Sequence, residues 1–453
     1  MAITIRQQPT SPNMANNNLV YEVTSDKSGQ PQYQFVMDIY QSGSTPYVQR
    51  VKQQPNLSQK GVFDIGQVMV QYLGDDQPWK TQGFTTSSFT LGTFEVKFGE
   101  EYGTSPSSSV VLYNGITPTP GEPAKVGDRY YYNTNGLVDY PNAIDFNFNS
   151  GSYLAMEDAS VYNTFSYQHN LSNAPIIQNV NDGEYLTIAL YNGNFMDPES
   201  DVIAQDIYYV QIRYYNAAGT PLTTDSLTNV EANGGGPRIN ANDLWSAVAA
   251  DQTNGTRLIH IGLGPQNLTD IGYTLPATWA YYTVEILGQG DDGLENSDGV
   301  WANLRFNKAT GNCAYNGVRF AWKNEFGVWD YYTFGLQSDS ATSVERQSYE
   351  QAFVDFSTST NSVPYDKQRR GQKQFYNALT QRKTANSDWL SQTDADWLKE
   401  LFFSSNVYIQ DGLDFEPVVI TSAEVVEKTN PRTQKNFQYR IEFQPANQPR
   451  ARQ

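Results

Sequence analysis

The sequence predicts a mainly β protein: antiparallel β-sandwich domains, a few short helices and a small C-terminal α+β unit. Composition is the first reason. The 453 residues include 31 Tyr, 34 Gly and 22 Pro but only 17% charged residues, a mixture suited to short strands and tight turns rather than long helices. Alternation is the second: apolar and polar side chains change places at every residue through most of the ordered-looking segments. The third is punctuation, because Gly, Asn or Pro closes nearly every such run. A chain of this length accommodates several domains, each with its own core.

Residues 1–154 read as an N-terminal β-domain. "LVYEVTS" (19–25), "YQFVMDIYQSG" (33–43) and "YVQRVKQ" (47–53) alternate, with Phe35, Met37 and Ile39 forming the apolar face of the second. In "FDIGQVMVQYLG", Ile65, Val68, Met69 and Tyr72 change the period to that of a two-turn helix. Asp64 and Gln67 have the spacing of a capping box there, and Gly74 that of a C-terminal stop. "FTLGTFEVKFGEEYG" (89–103) returns to strand, and residues 113–136 read as a long loop.

Residues 155–335 read as a central β-sandwich domain, with strands at 184–193, 207–219, 257–265 and 279–290 and a short helix at 240–251. In the second of these strands Tyr208, Val210, Ile212 and Tyr214 share one face. The domain ends in "RFAWKNEFGVWDYYTFG" (319–335), seven aromatic rings in seventeen residues. Its alternation predicts a core hairpin with a wet Lys/Arg side and Gly327 in the loop. The competing expectation is an exposed stacking platform of Trp322, Trp329 and Tyr331.

Residues 336–384 have weak periodicity and read as an extended arm. Residues 385–453 form the α+β unit, opening with "SQTDADWLKELFFSS". Thr393 and Asp396 suit its N-cap and N3 positions, and Ala395, Leu398, Leu401 and Phe402 make its apolar stripe.

The charge balance is −18 and uneven. Residues 364–453 hold 13 Lys/Arg and 11 Asp/Glu of the chain's 30 and 48, so the other 363 residues carry −20. That argues against a general nucleic-acid binder, which needs cations to displace phosphate counterions. Basic groups gather at Lys367, Arg369, Arg370, Lys373, Arg382 and Lys383, a pattern suited to head-to-tail contact between copies.

Chemistry-bearing motifs are sparse. Cys313 is the single cysteine, and His169 and His260 stand 91 residues apart, with His260 in a strand pattern that suits a structural or an exposed ring. The acidic loop 288–299 lacks EF-hand spacing, and no nucleophile elbow, HExxH or phosphate loop is present. No catalytic residue, metal ligand or cofactor is expected. The opening MAITIRQQPTSPN has neither the basic nor the apolar region of a signal peptide, and no apolar run reaches membrane-spanning length. Synthesis in a host cytoplasm, without a membrane span, is the expectation.

Three segments taken together resemble a known group. They are "VFDIGQVMVQYL", "RFAWKNEFGVWDYYTF", and "WLKELFFSSNVYI…FEPVVITSAEVVEKT…QYRIEF", in that order. This order resembles the tail-ring or collar virion structural proteins of crAss-like and related short-tailed bacteriophages. The most specific part is Asn324, Gly327, Trp329, Asp330, Tyr331, Tyr332, Thr333 and Phe334. The resemblance implies a non-enzymatic virion component in the neck or tail, forming a ring with copies of itself beside neighbouring tail proteins. DNA would pass its lumen without specific contact, kept from sticking by a negative wall. The interface residues it leads us to expect are Lys367, Arg369, Arg370 and Lys373 on the arm, with Trp397, Leu398, Leu401 and Phe402 docking the last helix. The alternative is a receptor- or carbohydrate-binding tail protein using Trp322, Trp329 and Tyr331; an acidic-site glycosidase comes third.

Overall fold

The computed structural model describes residues 3–9, 13–41, 47–87, 89–103, 111–114, 130–134, 170–191, 207–228, 258–289, 295–309, 317–350, 371–422 and 438–447. It is mainly β, with antiparallel sheets and few short helices. The chain divides into two compact units: residues 1–309 with 323–331, and residues 310–322 with 332–453.

Unit 1 begins with β1 (Ile3–Gln7), β2 (Asn13–Met14), β3 (Val20–Ser25), β4 (Gln34–Gln41), β5 (Gln49–Gln53) and β6 (Lys60–Asp64). After α1 (Gly66–Met69) and a single 3-10 turn come β7 (Phe84–Thr86), β8 (Leu91–Glu101), β9 (Val111–Asn114) and β10 (Tyr130–Thr134). Sheet β1-β3-β6 packs on the sheet β2-β10-β8-β4-β5, to which β9 adds at β8. The alternation explains this sandwich. Phe35, Met37 and Ile39 point inward with Phe94 and Phe98, and meet Tyr21, Val23 and Phe63 from the other sheet. Phe98 lies 5.1 Å from Tyr21 and 5.7 Å from Phe63, ring centre to ring centre. Val36 and Asp38 on the opposite face are also fully buried, which alternation does not predict.

Two expectations change here. The 65–72 segment forms one α-turn and then tightens to 3-10, and no side chain caps it. Asp64 is otherwise engaged: its Oδ1 accepts the backbone N–H groups of Leu19 and Gly66. Gly66 sits so close to the Ala15 and Asn17 carbonyls that a Cβ would lie 2.7 and 2.5 Å from them, so the turn is pinned by its neighbours. Gly74 does not end a helix; its N–H pairs with the Phe89 carbonyl. Residues 113–136, expected as one loop, are bounded by β9 and β10, both paired to β8; residues 115–129 lie outside the described set.

The rest of unit 1 contains β11 (Ile177–Val180), β12 (Thr187–Tyr191), β13 (Ile207–Tyr215), β14 (Pro221–Thr228), β15 (Leu258–Gly262), α2 (Pro265–Asp270), β16 (Tyr281–Gln289) and β17 (Glu295–Lys308). They build the sheets β11-β17-β16-β13-β14 and β12-β15-β7. Val210, Ile212 and Tyr214 are buried, as their shared face predicts, with Tyr282, Val284, Ile286, Leu304 and Phe306. Because β7 pairs with β15, residues expected as separate domains, 1–154 and 155–335, share a sheet within one unit. Gly262 permits this closeness, since a Cβ there would meet the Thr81 carbonyl at 2.2 Å. The helix expected at 240–251 lies outside the described residues.

Unit 2 is built on one sheet. It takes in the hairpin strands β18 (Val318–Lys323) and β19 (Trp329–Phe334), the long strands β20 (Ser338–Glu350) and β21 (Gln372–Asn386), and then α3 (Gln392–Phe403). β22 (Val407–Asp411), β23 (Asp414–Ile420) and β24 (Arg440–Pro445) complete the order β19-β18-β22-β23-β24-β21-β20. Residues 323–331 of the hairpin count with unit 1 and the rest of it with unit 2, so the boundary expected at 335 falls inside the hairpin. β18 runs in register with β22, from Arg319 opposite Gln410 to Trp322 opposite Val407. That pairing ties the hairpin's base to the C-terminal sheet.

α3 starts two residues earlier than the sequence suggests. Ser391 is the N-cap and Asp394 the N3 residue, in a reciprocal capping box. Both frames have the right spacing, but only this one places buried Leu390 and Ala395 at the two positions of a hydrophobic staple.

Candidate assembly surface

The described residues of the 336–384 arm form a two-stranded antiparallel ribbon. β20 and β21 pair along their full length, from Ser338 opposite Ala385 to Glu350 opposite Gln372. At about 3.3 Å per residue, thirteen-residue β20 extends roughly 43 Å. One irregularity, between Gln347 and Ser348, leaves Phe375 without an opposite residue. Only Lys383–Asn386 of β21 pair with β24. Twelve residues of β20 are exposed and Val344 is half-exposed.

Composition explains why this ribbon has no core of its own. β20 is almost wholly polar, and β21 has just Phe375, Tyr376, Ala378, Leu379 and Ala385 as apolar members. Toward the far end Tyr349, Phe375 and Tyr376 remain 42, 56 and 47% exposed, and the Tyr349 and Phe375 rings stand 6.0 Å apart. An isolated two-stranded ribbon is marginally stable in water, and open strand edges are surfaces that recruit further strands. Lys373 lies at this end; Lys367, Arg369 and Arg370 lie outside the described residues.

The other expected interface group belongs to the interior. Trp397, Leu398 and Leu401 are buried, with Trp397 5.2 Å from Trp322 and 6.0 Å from Tyr332. Phe402 is half-buried against Tyr439, 5.6 Å away. These side chains fix α3 to its own sheet, while Phe403 at its end stays 74% exposed.

The stacking platform is likewise absent. Trp322, Trp329 and Tyr331 are 0, 4 and 4% exposed. Trp329 packs edge-on against Trp79 at 5.2 Å and donates its Nε1–H to the Asp76 carbonyl. The Tyr331 and Thr187 hydroxyls share a 2.7 Å hydrogen bond. Even the cationic side expected to be wet is largely covered: Arg319 is buried and bonded to Thr333, and Lys323 pairs with Asp75 at 2.7 Å. The loop is set by Asn324, whose Oδ1 accepts the N–H groups of Phe326 and Val328. Gly327 adopts φ 84°, a conformation that glycine enters at little cost.

Chemistry elsewhere is thin. A shallow depression of about 260 Å³ is lined by Asp182, Gly183, Pro265, Thr269, Tyr273, Thr274 and Leu275. Asp182, the one charged group lining it, is occupied by Lys308 at 2.6 Å and the Trp279 indole. Among the described residues, no group of three His, Cys, Asp or Glu side chains is placed to hold a metal. In the acidic loop, β17 already begins at Glu295, while residues 290–294 fall outside the described set, as do His169 and Cys313.

His260 is a structural ring. It is 1% exposed on β15, with Nε2 4.0 Å from Asp76 Oδ2, and burial pushes its pKa down from 6.5 to about 4. Between those values the unfolded chain binds a proton that the folded chain refuses. This contribution to stability is therefore complete above pH 6.5 and is lost as pH falls toward 4, about 3 kcal/mol in all. Urea unfolding across that window is expected to show the slope in the wild type. His260→Gln is expected to flatten it, whatever that variant's stability at neutral pH.

No protein-family model matches the chain, and no curated protein matches its sequence.

Proposed function

We propose that this protein is a non-enzymatic structural subunit of the neck or tail of a tailed bacteriophage, where copies associate into a ring around the DNA exit channel. The observation that carries the reading is the β20–β21 ribbon, a long exposed element with no core of its own and, among the described residues, with open edges. A residue series of that kind is stabilised by a partner more readily than by itself. The resemblance in the three ordered segments supplies the virion setting. The −20 carried outside residues 364–453 suits a lumen that repels phosphates, and a basic channel with acids on the outer wall would count against that part. The carbohydrate-binding alternative loses its expected platform, because the three rings it needs are buried.

Native mass measurement of the full chain tests the proposal. A single closed oligomer is the expected result, and deleting residues 341–382 is expected to yield monomers that keep the circular-dichroism signature of the remaining sheets. A wild-type chain that stays monomeric and binds sugar overturns it.

A further inference from the structure

The ribbon's two strands carry opposite charge. β20 contains Asp339, Glu345 and Glu350 against a single cation, Arg346; β21 contains Lys373, Arg382 and Lys383 and no acid. Among the described residues each strand also has an open edge: the one sheet neighbour of β20 is β21, and the Gln372–Thr380 part of β21 has β20 as its sole partner strand.

The charges stand at matching heights. Glu350 is opposite Gln372, one residue from Lys373, and Asp339 is opposite Thr384, one residue from Lys383. Two identical ribbons side by side at the same height would therefore set the Glu350 end of one β20 beside the Lys373 end of the next β21. The two strands would run antiparallel, as they do within one ribbon, so the same ladder continues across the contact. The chain thus supplies its own complementary edge, which favours a second copy over an unrelated occupant. Nucleic acid fits less well, because three carboxylates on β20 repel phosphate.

Resting on the ring reading above, we infer that the outer edge of β20 in one copy adds to the open edge of β21 in the next. This is a heterologous contact that repeats around the ring and removes the exposed edges. Charge at the edge sets the direction of addition, because β20 against β20 or β21 against β21 would bring like charges together.

The test uses two full-length variants, Glu350→Lys and Lys373→Glu, examined separately and mixed, by native mass measurement. Each alone is expected to weaken association about fivefold, since each makes the two exposed edges alike in charge at this end. The mixture is expected to regain assembly, because the altered β20 of one variant now complements the altered β21 of the other. Two further variants, Ser343→Cys and Thr380→Cys, both made with Cys313→Ser, are expected to form a disulfide-linked dimer when mixed and oxidised. Wild-type oligomers that survive both charge reversals, with no cross-link, overturn the edge pairing while leaving the ring reading intact. A wild-type chain without oligomers overturns the ring reading itself. Retention of a labelled DNA oligonucleotide that Lys373→Glu abolishes, without any cross-link, assigns the ribbon to nucleic acid and overturns the inference.

Discussion

Arg50→Ala is expected to destabilise the protein by about 3–5 kcal/mol, because it strands a buried carboxylate. Asp38 is 0% exposed on β4. Arg50, opposite it on β5, donates Nε–H to Oδ1 and Nη2–H to Oδ2, each at 2.6 Å. The paired carboxylate holds the guanidinium pKa above its ordinary value, chiefly through these hydrogen bonds. The alanine variant would remove both bonds and leave Asp38 without its cation. Urea unfolding at pH 7 checks the magnitude, and a loss below about 1 kcal/mol would place the pair among ordinary surface bridges.

Two controls isolate the cause. Asp38→Asn combined with Arg50→Ala is expected to lose less than Arg50→Ala alone, since a neutral amide is cheaper to bury than an unpaired charge. Lys52→Ala is the contrast. Lys52 bridges Glu101 at 2.5 Å, but its side chain is 39% exposed, and the expected cost is below about 1 kcal/mol.

The same segment shows what the sequence could and could not reveal. Phe35, Met37 and Ile39 were legible as a core face because a period of two is a local signal. The burial of Asp38 on the other face was not, since what covers it comes from elsewhere in the chain. The β7–β15 pairing joins residues 84–86 to residues 259–261, and nothing in either short segment names the other. The α3 cap was legible as a spacing but ambiguous by two residues, and the choice rested on Leu390 packing before the helix. The ribbon was legible as an exposed arm from its polarity. Its closure into paired strands was not, because β20 is exposed on both faces and so has no apolar face to mark alternation. Among the site residues, Trp397 and its neighbours were legible as apolar, but an anchor into one's own sheet and an anchor into a neighbour have the same composition.

Trp322→Ala is expected to cost about 3–5 kcal/mol, the range for removing a large ring from a packed core. Trp322 is fully buried on β18, opposite Val407 in the ladder and 5.2 Å from the Trp397 ring. Its loss would empty the space between the β18–β22 pair and α3, and the helix cannot settle inward without dislodging Leu398 and Leu401, both 0% exposed. Trp322→Phe retains an aromatic ring and should lose appreciably less. Trp389→Ala provides the matched control, because that ring is 65% exposed and its removal should fall within about 0.5 kcal/mol of wild type. The comparison also separates the two readings of this aromatic segment. A stacking platform predicts that alanine at Trp322 costs ligand binding and little stability, whereas a core hairpin predicts a large stability loss in the absence of any sugar. Urea unfolding of the three variants decides between them, and a near-neutral Trp322→Ala would return the ring to the surface as a ligand contact.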